Sequence, residues 1–295
     1  MACILGVGVA TLDIVNEVDG YPAEDSEVRA VAQQRRRGGN ATNTLVVLSQ
    51  LQHACTWAGT LANDADAVFI IEDLRRHAVD VGPARIVEQG KSPTSYIVLN
   101  RRNGSRSIVH YRDLPEFGYA DFCALDLHPY DWLHFEGRHI TDTAQMLARA
   151  RQAGSGATLS LEVEKARDRI ETLFSRADVL LLSRAYARGR GFGDPGLLLD
   201  WVATQAPQAR VFLAWGEYGG FTRSQAGRLI HQAAIPVERV IDTVGAGDVF
   251  NAGIIDALLR GASGAEALGE AVALAGQKCA QHGLDGLTHR TAEPN

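Results

Sequence analysis

Ile241-Asp242-Thr243-Val244-Gly245-Ala246-Gly247-Asp248-Val249-Phe250-Asn251 decides how this chain is read. Its Gly-Ala-Gly turn lets the backbone approach a ligand closely, and the run that follows, 249–259, is apolar on most sides and reads as a buried helix. Free amides at a helix start, with the positive end of the dipole, make an anion site suited to a phosphate, and Asp248 falls in the first turn beside it. A carboxylate there can take a proton from a nucleophile. It can equally be an ordinary first-turn acid behind a glycine-rich turn.

Working outward, residues 3–10 form an apolar run that suits a buried first strand of a parallel sheet, with Asp13 beyond its carboxyl end. Ligands of open α/β sheets bind outside those ends, so Asp13 is either a substrate contact or a turn cap. Gly38-Gly39-Asn40-Ala41-Thr42-Asn43 precedes a second apolar run, 45–51. A helix starting near Ala41 puts Asn40 and Asn43 on one face of its first turn, where their amides can bond a polyol, although Asn40 alone is also a good cap. Two amides and a carboxylate pair with sugar hydroxyls without demanding a charged substrate. Gly6 and Gly8 lack a third glycine, Thr11 standing in its place, and no G-x-x-x-x-G-K-[ST] occurs, which disfavours dinucleotide and Walker loops.

Residues 14–37 are more polar and alternate in part, as in Glu27-Val28-Arg29-Ala30-Val31-Ala32, which predicts exposed antiparallel strands. A similar patch, 95–100 and 107–111, is joined by a turn at Asn103-Gly104. The two patches read as one small sheet covering the site, with an outer face apolar enough to meet a second subunit. Arg35-Arg36-Arg37 is read as a solvated edge. A helical pattern over 64–77, and strands and helices alternating from 120 onward, complete a parallel sheet with helices on both faces. The end from Leu284 reads as a fraying loop.

At 295 residues the chain suits one large α/β domain with an appendage, or two domains. A formal charge of −6 argues against a nucleic-acid partner, but not against phosphorylated ligands, which need only local amides and a cation or two. Cys3, Cys55, Cys123 and Cys279 are scattered, indicating neither a disulfide framework nor a zinc site. The start has no basic leader and no run reaches membrane-spanning length, so the expectation is a cytoplasmic protein with no membrane partner.

Asp-Thr-Val-Gly-Ala-Gly-Asp-Val-Phe, 242–250, resembles the signature of the ribokinase-like (PfkB) carbohydrate kinases. Within that family the likeness is to the ketohexokinases, fructokinases that phosphorylate the C1 hydroxyl of fructose, and it covers almost the whole chain. It runs through 21–29, 37–43, Gly104-Ser105-Arg106, His134-Phe135-Glu136-Gly137-Arg138, Glu162-Val163-Glu164-Lys165 and Gly283-Leu284-Asp285-Gly286. The resemblance implies a ribokinase-like α/β core, 1–12, 38–92 and 118–295, and a β-sheet lid, 13–37 and 93–117, that pairs into a homodimer clasp. It implies a sugar held by Asp13, Gly39, Asn40 and Asn43, with Asp248 as base. Gly245, Ala246 and Gly247 would form the anion hole, Arg106 would reach the nucleotide phosphates from the lid, and Gly216-Glu217-Tyr218-Gly219 would form part of the ATP wall. Mg2+ and ATP are the implied cofactors, with K+ as a candidate monovalent cation. Many members carry Asn-x-x-Glu near the metal, but here the region reads Leu182-Ser183-Arg184-Ala185-Tyr186-Ala187. The metal ligands therefore stay unknown: Glu162 or Glu164 either contributes through water or is a solvated strand end. His134 and His139 are given no role. Other neutral acceptors, such as a pentose or nucleoside, and a non-catalytic sugar-binding regulator remain as alternatives.

Overall fold

The computed structural model describes residues 1–288. Strands form where β-branched and leucine-rich runs are buried on both faces, and they assemble into a nine-stranded sheet. Across it the order is Leu229–Gln232, Gly220–Arg223, Arg210–Ala214, Val179–Ser183, Thr158–Val163, Trp132–Glu136, Cys3–Val7, Ala54–Ala58, Val79–Asp80. All pairings are parallel except the two at the Leu229–Gln232 edge, which are antiparallel.

The period of two along each strand divides the interior into two cores. In Val179–Ser183, Val179 and Leu181 join one core while Leu180 and Leu182 join the other. The first core is closed by helices Asn40–Gln50, Ala65–Arg76, Ala246–Leu259 and Gly264–Cys279, and the second by Ile140–Gln152 and Pro195–Gln205 among others. The expected helices and strands fall close to their predicted places: 64–77 is helix Ala65–Arg76, with the Asp64 side chain accepting from the Ala67 amide.

A separate four-stranded sheet has the order Ala32–Gly38, Thr11–Val18, Lys91–Asn100, Arg106–Asp113. Its outer pairs are antiparallel and its central pair is parallel. Residues 27–31 differ from the reading above and are not a strand. Thr11–Val18 runs only one residue past its last pairing, Glu17 with Ala32; the Val31 amide still donates to the Glu17 carbonyl at 2.8 Å, but beyond it 27–30 have no described strand opposite them and stay loop. The loop-like end read from Leu284 lies within the described residues only as far as Thr288. There Leu287 is fully buried, and the rest of that expectation lies outside the described residues.

Arg36 and Arg37 also correct the reading of a solvated edge. Neighbours on one strand, they project to opposite faces, and each finds a carboxylate: Arg36 NH1 donates to Asp242 Oδ2 at 2.7 Å and Arg37 Nε to Asp73 Oδ2 at 2.8 Å. Only Arg35, with an exposed side chain, fits the edge description. Asp242 also meets Lys278, whose ammonium is fully buried, lies 3.1 Å from Asp242 Oδ2 and donates to the Asp242 carbonyl at 2.9 Å. This cluster fastens the loop before Gly245 to the last turn of helix Gly264–Cys279. Lys278→Met leaves the buried Asp242, among the described residues, with Arg36 as its one paired cation, and is expected to cost about 3 kcal/mol of unfolding free energy, measured by urea denaturation.

Candidate active site

Two helix starts build the site. Helix Asn40–Gln50 begins after Gly39, whose φ is +105° and whose would-be Cβ would lie 2.0 Å from the Val9 carbonyl oxygen, so only glycine fits. The Glu136 carboxylate, at the carboxyl end of its strand, takes over the capping. Its Oε1 accepts the Ala41 amide at 2.8 Å and the Val9 amide at 3.1 Å. Helix Ala246–Leu259 begins after Gly245 in the left-handed region, φ +83°; its Ala246 amide donates to the Thr243 carbonyl at 3.3 Å, and among the described residues no side chain caps the amides that follow.

The helices meet where Asn43 Nδ2 donates to Asp248 Oδ2 at 2.7 Å, 205 residues apart in sequence. Beside this bond, Asn40 Nδ2 donates to Glu162 Oε1 at 2.9 Å, and Thr11 Oγ1 donates to Asp13 Oδ1 at 2.7 Å. Asp13, Gly39, Asn40, Asn43, Arg106, Gly245, Gly247 and Asp248 line one cleft of about 380 Å³, at the carboxyl ends of the parallel strands and under the small sheet. Arg106 reaches across from the small sheet, its NH1 donating to Thr243 Oγ1 at 2.9 Å. Ala246 follows in the same turn without lining the cleft. Gly216, Glu217 and Tyr218 form a short turn of 3-10 helix that ends at Gly219, beyond the end of strand Arg210–Ala214. They are not part of this cleft, although Ala214 is, and Glu217 is paired with Arg184 at 2.7 Å.

The floor is acidic and the rim basic. Burial pushes the Asp248, Glu162, Glu136 and Asp13 carboxyls up from the ordinary range. For Asp248 the charges of Glu164 and Glu136 add to burial, while the Asn43 bond and the Arg37 charge oppose it. Arg106, Arg138 and Lys165 supply the positive charge along the cleft. Glu136, Arg138 and Lys165 were present in the quoted stretches, but no local spacing separated them from surface charges.

Glu162 is buried and is not a solvated strand end. Among the described residues its Oε2 has no hydrogen-bond partner, and His134 Nε2, equally unpartnered there, lies 3.9 Å away. His134 is fully buried, sits 2.9 Å from Ser160 Oγ, and is pushed down to about 4 by burial, which makes it a neutral structural imidazole at physiological pH. His139 is exposed, at a helix start beside Asp142. Among the described residues no group of three or more His, Cys, Asp or Glu forms a metal cage. No described helix is long and apolar enough to cross a membrane.

The pfkB family carbohydrate kinase model matches residues 2–290. Mouse ketohexokinase is 38% identical over 292 residues, covering 96% of this chain and 98% of that protein. Among solved structures, Giardia lamblia ribokinase superposes with a TM-score of 0.84 at 16% identity, covering 96% of this chain and 95% of that one. Arabidopsis thaliana ribokinase, complexed with ribose and ATP, does so with a TM-score of 0.77 at 22% identity, covering 96% and 94%. These likenesses show the ribokinase-like fold. The chain belongs to the pfkB family of carbohydrate kinases.

Asp248→Asn tests the electrostatics. A carboxyl whose folded value is raised contributes most to stability below its unfolded value, and that contribution is lost as pH rises through the folded value. Asparagine carries no such charge. The variant is expected to melt about 3 °C or more above the wild type near pH 8, with the gain shrinking toward pH 4, as read by thermal unfolding across pH.

Proposed function

We propose that this kinase transfers the γ-phosphate of ATP to the primary hydroxyl of a ketohexose, fructose giving fructose 1-phosphate. The observation that carries this reading is the meeting of Asn43 with Asp248 at the anion-binding helix start, in a cleft that also holds Asp13 and Asn40. The similarity to mouse ketohexokinase over nearly both chains supports the ketohexose.

In this reading Asp13, Gly39, Asn40 and Asn43 hold the sugar, and Asp248 accepts the C1 hydroxyl proton as oxygen attacks phosphorus in line. The transition state is loose and needs little early deprotonation, so an aspartate suffices as base. Amides of Gly245 and Gly247 neutralise charge on the transferring group, Ala246 holds the turn between them through its bond to the Thr243 carbonyl, and Arg106 neutralises charge on the nucleotide. The Gly216 to Gly219 turn, outside the sugar cleft, would flank the nucleotide. The small sheet excludes water that would compete as acceptor.

The donor set also fits Mg2+. Glu162 Oε2 is an orphaned buried oxygen, and Glu164 lines the same cleft, so hard carboxylate oxygens are available where only one or two are needed. Glu162 and Glu164 would hold the ion, which when bound supplies positive charge to phosphate oxygens.

ATP consumption measured with fructose, ribose and adenosine, followed by NMR location of the new phosphate, tests the reaction. Fructose is expected to have the highest kcat/KM, with phosphate on C1. Preference for ribose or adenosine would move the assignment to another acceptor, and no turnover with any would leave a binding regulator. Asp248→Asn should lower kcat at least about a hundredfold while ATP affinity stays within about twofold.

The small sheet is also the proposed dimer contact. Its edge strand Arg106–Asp113 exposes Ile108, Val109 and Tyr111, and its neighbour exposes Tyr96, an apolar edge suited to a second copy. Sedimentation is expected to give twice the 31.8 kDa chain mass, and Val109→Glu with Tyr111→Glu to give the monomer.

A further inference from the structure

Arg37 stands outside the groups used above, yet it touches one of them. Its guanidinium is anchored at one end, where Nε donates to Asp73 Oδ2 at 2.8 Å, and at the other NH1 donates to Asn43 Oδ1 at 2.6 Å and Thr42 Oγ1 at 3.0 Å. A guanidinium only donates, so it can face only the carbonyl side of an amide. With Oδ1 claimed, the Asn43 amide cannot flip, and its N–H side is turned toward Asp248, 2.7 Å away.

We propose that Arg37 is a positioning residue for the reaction: it fixes the Asn43 amide, and through it presents a hydrogen-bond donor to Asp248. The inference rests on the reading of Asp248 as base. The chain Asp73, Arg37, Asn43, Asp248 joins helix Ala65–Arg76, the small sheet and both helix starts of the site. Asp248 also faces Glu136 and Glu164, and its charge acts on Glu162, all acids that oppose its ionisation. Against them stand the Asn43 donor and the Arg37 charge. Losing Arg37 removes the charge and frees the amide to turn its oxygen toward the carboxylate, so both changes favour protonated Asp248.

Arg37, Asn43 and Asp73 also line a second cavity of about 490 Å³, which gives a small cation a route to the gap left by truncation. In Arg37→Ala, kcat is expected to fall at least about tenfold, with the acid limb of the kcat–pH profile moved up by about one unit. The KM for ATP should stay within about twofold. Millimolar guanidinium should restore kcat and return the limb, whereas urea, neutral and of the same shape, should not. Arg37→Lys keeps the charge but cannot span Asp73 and Asn43 together. It serves if the alanine variant does not fold, and should move the limb the same way. A limb superimposing on wild type in either variant, or equal effects of guanidinium and urea, would overturn the proposal. Asp248→Asn separates the two failures: if it keeps full turnover, the base assignment fails, and if it loses turnover while the Arg37 limb does not move, only the positioning role fails.

Discussion

The hydrogen bond from Asn43 to Asp248 joins two helix starts that lie at opposite ends of the chain, and both starts need glycine to reach it. Behind the bond, the helices pack into one core, with Leu45, Val46 and Leu48 on one and Val249, Phe250 and Ala252 on the other. Thr44 Oγ1 adds a bond to the Asp248 carbonyl at 3.3 Å. The parallel sheet supplies the frame, because its strand ends bring Glu136 under the first helix start and Glu162 beside Asn40. Site geometry is therefore set by core packing and not by a mobile loop.

That geometry collects buried carboxyl groups, an arrangement that costs stability in the free protein. Asp248, Glu136 and Glu162 repel one another, and the cations are placed to the side, on Arg106, Arg138 and Lys165. Such a floor suits a neutral polyol with a charged phosphate chain beyond it: hydroxyls donate to the acids, while the rim meets the phosphates. By contrast, the carboxylates with close cationic partners, Asp73 and Asp242, are held below the ordinary range by Arg37 and by Lys278 respectively. They secure the structure around the site.

The parts of the site legible in sequence were those coded locally. Gly245 to Asp248 and Gly39 to Asn43 each combine a backbone requirement with a side chain on the next turn, and their spacing survives without knowledge of the fold. The alternation that marked 27–31 as strand was misleading because a strand also needs a neighbour. Arg36 and Arg37 were misread for a related reason: a buried arginine looks like a surface one until its acid is known, and Asp73 and Asp242 lie 36 and 206 residues away. The environment of Asp248 was hidden too, since its burial among Glu136 and Glu164 arises only when separate strand ends converge.

The proposed reaction depends on where a sugar's reactive oxygen sits relative to Asp248. A crystal structure with fructose and a non-hydrolysable ATP analogue measures that directly. The C1 hydroxyl is predicted within hydrogen-bond reach of the Asp248 carboxylate, about 2.6–3.2 Å, with the γ-phosphate over the Gly245 turn. Fructose bound with C1 turned away from Asp248, or outside the cleft of Asp13, Asn40 and Asn43, would contradict it.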